Sequence, residues 1–195
     1  MVNKMKRQIR RGTFETNSSS THAICITKEG YEKSDYIEFE FGEFGWETET
    51  YYDTYSKASY LITAIFSGEK EMADKRLKKL KEILDSNNIK YSIPTPEVKS
   101  WEYNGKTEYY YDFDGYVDHA SEAEEFMNAV LNDSDKLMRY LFGDSMIITG
   151  NDNGDGFCEM MYVLIGEEKT KYGTYPIYGE LKPEFEDYEI YEKGN

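Results

Sequence analysis

An α+β fold is what this 195-residue sequence predicts: a mainly antiparallel sheet with a helical hairpin over about 54–86 and further helices over about 121–142 packed on it. Three observations carry that expectation. Residues 36–41 alternate apolar and charged with period two. Residues 58–66 and 73–84 place apolar side chains at helical spacing. Asn104-Gly105 separates two aromatic-rich runs, which is a strong short-range signal for a hairpin. No internal repeat or long linker interrupts the chain, so one acidic domain is expected over 12–195, behind a basic tail at 1–11.

Taken in order, Thr21–Thr27 reads as a first strand because Ala23, Ile24, Cys25 and Ile26 cluster in it. Tyr36–Phe41 sets Ile37, Phe39 and Phe41 against Tyr36, Glu38 and Glu40, the pattern of a half-buried antiparallel strand. Gly42–Tyr55 is acidic and aromatic, and reads as a loop or irregular edge. Ala58, Leu61, Ile62, Ile65 and Phe66 then form one apolar stripe, which Ser67-Gly68 stops. Ala73, Leu77, Leu80 and Leu84 mark a second helix, with Glu69, Glu71 and Asp74 in its first turns, where they complement the helix dipole. Lys75, Arg76, Lys78, Lys79 and Lys81 are expected to cover its outer face, and Asn87-Asn88 ends it.

Ile89–Ile93 is a short strand closed by Pro94 and Pro96, and the hairpin 98–113 follows. Ser121-x-x-Glu124 fits a capping box, opening a helix with Ala123, Phe126, Met127, Val130 and Leu131 on its apolar face. After Asn132-Asp133-Ser134, residues Leu137, Met138, Leu141 and Phe142 mark another helix. Ser145–Thr149 and Met160–Ile165 read as two strands around a Gly/Asn/Asp loop.

Composition narrows the function classes. The chain has 23 Lys+Arg against 38 Asp+Glu, a net charge of −15, yet 16% of its residues are aromatic. Acidic disordered chains lack aromatic residues, so a folded acidic body is expected. No apolar run reaches the length of a membrane span, and no signal-peptide core follows the basic start. Cys25 and Cys158 are too few for a disulfide framework or a structural zinc site. A soluble cytoplasmic protein without a cofactor is the expectation. Lys4, Lys6, Arg7, Arg10 and Arg11 put five positive charges in the first eleven residues. The remainder carries 18 basic and 38 acidic residues, a net of −20. A body of that charge repels phosphates, which disfavours direct nucleic-acid binding except through the tail.

Four segments carry candidate chemistry. The first is Arg11 to His22, in which Glu15, Thr16, Asn17, Ser18, Ser19, Ser20 and Thr21 form a polar loop ahead of a strand. Such a loop is either a linker making local turns or a cradle for a phosphate or carboxylate, with Arg10 and Arg11 supplying charge. A serine close to a histidine also suggests a nucleophile and base, although no nucleophile-elbow motif surrounds these serines.

The second, Asn151–Gly156, matches the first half of an EF-hand loop. Position twelve is Tyr162, so a plain hairpin turn is expected, with Asp152 and Asp155 as weak cation ligands. The third is the tract Glu108–His119, where Asp112, Asp114, Asp118 and His119 lie close in sequence, either as a metal-binding set or as a solvated face. The fourth is diffuse. From Glu97 to Glu125 nine acids face only Lys99 and Lys106, interleaved with tyrosines. Carboxylates on one face at roughly 7 Å spacing would imitate duplex phosphates. Glu102, Glu108, Tyr110, Asp112, Asp114 and Asp118 are the candidate partner-binding residues; the alternative is ordinary solubilising charge.

The Arg11–His22 segment, R-G-T-F-E-T-N-S-S-S-T-H, resembles the opening of a group of small acidic proteins from phages and mobile elements of Firmicutes; Ile147–Asn153 resembles it more weakly. The resemblance covers about twelve residues and brings no catalytic residues with it. It implies a mobile-element protein acting in the cytoplasm of a bacterial host, a context that includes acidic inhibitors of defence nucleases, Cas9 among them. Two function classes follow. In one, the chain is a non-enzymatic, anti-CRISPR-like inhibitor whose acidic, Tyr-rich surface occupies the nucleic-acid groove of a basic host protein such as a CRISPR effector nuclease. In the other, the Asn17–His22 loop binds or modifies an anionic ligand such as a nucleotide.

Overall fold

The computed structural model describes residues 20–45, 47–103, 105–151 and 156–193. Its strands and helices run in the order β1 (Ser20–Thr27), β2 (Tyr36–Glu38), β3 (Glu43–Phe44), β4 (Thr50–Tyr51), α1 (Thr54–Phe66) and α2 (Lys70–Ser86). They continue with β5 (Lys90–Ser92), β6 (Glu97–Tyr103), β7 (Lys106–Asp112), β8 (Tyr116–Val117), α3 (Glu124–Leu131), α4 (Ser134–Phe142) and β9 (Met146–Asn151). The chain closes with α5 (Gly156–Met161), β10 (Tyr162–Thr170), β11 (Gly173–Leu181) and β12 (Tyr188–Lys193). This is an α+β architecture.

Its centre is a four-stranded antiparallel sheet in the order β12-β1-β9-β4. Ile24, Ile26 and Ile147 turn to one side, where they join the core formed by α1, α3 and α4. Ala23, Cys25 and Ile148 turn to the other and meet Phe157, Met161, Tyr178 and Phe185. Both faces of β1 are thus covered, and all eight of its residues are buried. Gly150 permits the second layer. A side chain there would begin 2.7 Å from the Phe157 Cβ, so only glycine lets α5 lie this close to β9.

The helical hairpin forms where the spacing places it. Asp53 caps α1 by accepting from the Ser56 N–H at 2.8 Å. Asn87 ends α2, and Asn88 adopts the left-handed conformation, φ 55°, that asparagine tolerates. Alpha-helix α1 departs from the single apolar stripe expected of it, because every residue from Lys57 to Phe66 is buried. The sheet, α2, α3 and α4 surround it, so its hydroxyl-bearing face is covered too.

Other expectations are corrected by tertiary pairing. Strand β2 keeps the alternation of Ile37 and Phe39 but pairs parallel with β5, since the helical hairpin between them acts as a crossover. On α2, Arg76 does not join the lysines outside; it is buried and reaches Glu124 at 3.4 Å. The capping box is not the start of α3. A 3₁₀ turn occupies Ala120–Ala123, and α3 begins at Glu124 with Ala123 at its N-cap. Residues 156–161 form α5, where the sequence suggests the approach to a strand. Strands β9 and β10 are not the two arms of a hairpin, because β9 pairs with β1 and β4 whereas β10 pairs with β11. The C-terminal tail holds two further strands that no alternation announced, and β12 completes the central sheet.

Candidate functional site

Strands β6 and β7 form a hairpin that stands off the core. Gly105, at φ 74°, supplies the positive backbone angle that the turn requires. Register places Glu97, Lys99 and Trp101 across from Asp112, Tyr110 and Glu108, so these six share one face. Val98, Ser100 and Glu102 share the other with Tyr111, Tyr109 and Thr107.

One corner is anchored. The Tyr111 hydroxyl donates to the Asp74 carboxylate, its ring lies edge-on to Phe66 at 4.8 Å, and Lys70 Nζ sits 5.2 Å from the ring centroid. Phe113, just past the strand, stacks on Phe41 at 4.2 Å. Tyr110 also makes a backbone bridge to Glu69 in the α1–α2 connection. A two-stranded hairpin alone is marginal in water, so these contacts are what hold it in place.

Beyond the anchor the aromatic side chains face solvent: Trp101 is 53% exposed, Tyr109 56% and Tyr110 38%. A groove of about 450 Å³ runs between hairpin and connection, with Trp101, Tyr109, Tyr110, Glu108 and Glu69 among its lining residues. A second cleft of similar volume adjoins it, where Glu71 and Asp74 of α2 face Thr107 and Glu108. The charges divide unequally. Lys70 pairs with Asp74 at 2.6 Å and Lys75 with Glu71 at 2.7 Å; the lysines hold both carboxyls below their ordinary range. Lys99 pairs with Asp112 across the hairpin, and that bond raises the Lys99 ammonium. Among the described residues, no lysine or arginine pairs with Glu69 or Glu108.

The sequence-derived partner set is therefore split. Glu108, Tyr110 and Asp112 share a face, and Trp101 joins them. Glu102 lies on the opposite face. Asp114 is exposed beyond the end of β7, and Asp118 is half-buried, 3.8 Å from His119 Nε2. Glu108 and Asp112 stand ~13 Å apart along the strand with Tyr110 between them, and Asp112 is already neutralised by Lys99. That is not a continuous row at phosphate spacing. Among the described residues, no three His, Cys, Asp or Glu side chains converge as metal ligands, the Asp112–His119 tract included.

The polar N-terminal segment enters the structure only at its end. Arg11, Glu15, Thr16, Asn17, Ser18 and Ser19 lie outside the described residues, as do Asp152 and Asp155. Ser20 and His22 belong to buried β1, not to a loop. His22 Nε2 is 3.0 Å from the Gly45 carbonyl, which can only accept, so Nε2 carries the proton. Nδ1, 3.0 Å from the Tyr60 hydroxyl, then accepts from it. Burial pushes the Tyr60 hydroxyl far above its ordinary range, which keeps it a donor.

Sequence reasoning missed Lys57. It is 1% exposed, and its ammonium donates to the carbonyls of Gly143 at 2.7 Å and Ser145 at 3.1 Å, just past the C-terminus of α4. Burial lowers its pKa to about 8, against the opposing pull of Asp144 and Asp53. The signal was present, since Lys57 lies one turn before Leu61 on a helix with no other charge after Asp53. Cys25 is likewise internal, its thiol pushed up to about 12 by burial, with Glu192 adding to the shift.

Comparison with protein-family models, curated proteins and solved structures finds no match to this chain. No helix among the described residues is long and apolar enough to cross a membrane.

Proposed function

We propose that the chain is a non-enzymatic binding protein that acts in the cytoplasm of a bacterial host and blocks a basic, nucleic-acid-binding defence protein. The mobile-element context comes from the resemblance of Arg11–His22. The mode of action rests on one observation: an anchored hairpin that presents Trp101, Tyr109 and Tyr110 to solvent beside Glu108 and Glu69. Large aromatic side chains placed outside a core that has room for Tyr60 and Tyr140 supply contact area for another molecule. The net charge of −15 steers that molecule to be basic. The broken spacing of the carboxylates favours occlusion by an aromatic and acidic surface over imitation of a phosphate row.

The catalytic alternative built on His22 is disfavoured by geometry. Both ring nitrogens are engaged inside the fold, leaving neither placed to take a proton from a substrate.

A purified Cas9–guide complex tests the reading. Target-DNA binding and cleavage are measured with increasing protein across a salt series, for wild type and for Trp101→Ala. Inhibition that weakens with salt and is lost in the variant is expected. No inhibition at micromolar protein removes this nuclease as target, and inhibition untouched by the variant removes the hairpin from the mechanism.

A further inference from the structure

We propose that the groove between the β6–β7 hairpin and the α1–α2 connection is an arginine-recognition site, seating a guanidinium group from an extended basic segment of the partner. The inference rests on the reading of the hairpin as the contact surface, and adds the chemistry that surface selects. Trp101 lies directly across from Glu108, and Tyr110 follows two residues later on the same face. Two aromatic rings, one across the hairpin and one along β7, therefore flank the Glu108 carboxylate on one face. Glu69 lines the same groove beside Tyr110, held there by its bridge to that residue.

The nearest cations are paired elsewhere. Lys70 is committed to Asp74 and lies over Tyr111, and Lys99 is committed to Asp112. The two carboxylates at the aromatic groove are thus the ones left for an incoming cation. A guanidinium suits them better than an ammonium. It is planar, stacks on aromatic faces, and presents parallel N–H donors to a carboxylate.

The test uses the full chain carrying Trp46→Phe, so that Trp101 is the sole tryptophan. Its fluorescence is followed on titration with an acetylated Gly-Arg-Gly-Arg-Gly peptide and its lysine and citrulline counterparts, at physiological salt. Saturable binding is expected for the arginine peptide, weaker binding for lysine and none for citrulline. Glu108→Gln should weaken the arginine complex about tenfold, the cost of one charge-assisted hydrogen bond. Glu167→Gln on β10 changes net charge equally, away from the groove, and should weaken it less than twofold. Equal binding of the citrulline peptide, or equal loss in the two glutamine variants, would overturn the site and leave only bulk attraction. Absence of arginine binding while nuclease inhibition persists would likewise overturn it, without touching the broader reading. Arginine binding without any inhibition would uphold the groove and count against the proposed target.

Discussion

Strand β1 and the β6–β7 hairpin handle polarity in opposite ways. Strand β1 buries Ser20, Thr21, His22 and Thr27, residues that sequence alone would leave in water. The hairpin exposes Val98, Trp101, Tyr109 and Tyr110, side chains with enough apolar surface to serve a core. What separates the two is how far the rest of the chain encloses them. His22 has Tyr60 and Gly45 within hydrogen-bond reach, and Ser145 Oγ accepts from the Thr27 N–H at 3.0 Å. Buried polar groups with partners cost little, whereas orphaned ones cost the full desolvation penalty. Trp101, Tyr109 and Tyr110 instead keep 38–56% of their surface in solvent. On the proposed reading, stability resides in the first region and recognition in the second, and substitutions should separate the two properties.

The largest effect is expected deep in the first region. Phe126 packs edge-on against Tyr140 at 4.9 Å and contacts Tyr60 and Tyr191. Phe126→Ala should lose about 3–5 kcal/mol, read as a lower midpoint in urea unfolding. If its stability matched wild type, the core would not be centred on that cluster.

Lys57 sharpens the comparison through pH. Its folded-state pKa of about 8 lies below the ordinary 10.5, so between those values the unfolded chain binds more protons. Stability from this group therefore rises with pH across that window, by roughly 3 kcal/mol in total. The raised Cys25, Tyr60 and Tyr140 act in the opposite direction at alkaline pH, but equally in a Lys57→Met variant. The stability of wild type relative to Lys57→Met should accordingly climb from pH 8 to pH 10.5, measured by denaturant titration at each pH. A flat difference would mean that Lys57 is not buried as a charge.

A smaller loss is expected for His22→Phe, which keeps a ring but strands the Gly45 carbonyl and the Tyr60 hydroxyl. About 1–3 kcal/mol should go. Inhibition of a partner should be unchanged in the fraction that stays folded; loss of inhibition there would restore His22 as a functional residue. Smallest of all, Trp101→Ala should shift the unfolding midpoint by less than about 0.5 kcal/mol while reducing partner binding severely.

Much of this contrast could be read from sequence, where local signals suffice. Asn104-Gly105 placed the hairpin, and the spacing of Leu61, Ile65, Leu80 and Leu84 placed the helical pair. What could not be read depends on partners distant in sequence. The parallel pairing of β2 with β5, the inward turn of Arg76 toward Glu124 and the burial of Lys57 beneath Gly143 each require a contact that the local pattern does not contain. Strands β11 and β12 escaped notice, and β10 was placed only in its first half, because Gly166, Pro176 and the acids from Glu180 onward mask alternation. For the candidate site, sequence grouped Glu102 with Glu108, Tyr110 and Asp112, which share a face. Cross-strand register, which sends Glu102 to the other face, also brings in Trp101.

Hydrogen exchange on the chain with and without a Cas9–guide complex tests the central claim most directly. Slowed exchange confined to residues 97–112 and the adjoining 67–74, with β1 unchanged, is the expected result. Protection elsewhere with the hairpin unaltered, or no protection anywhere at saturating complex, would contradict it.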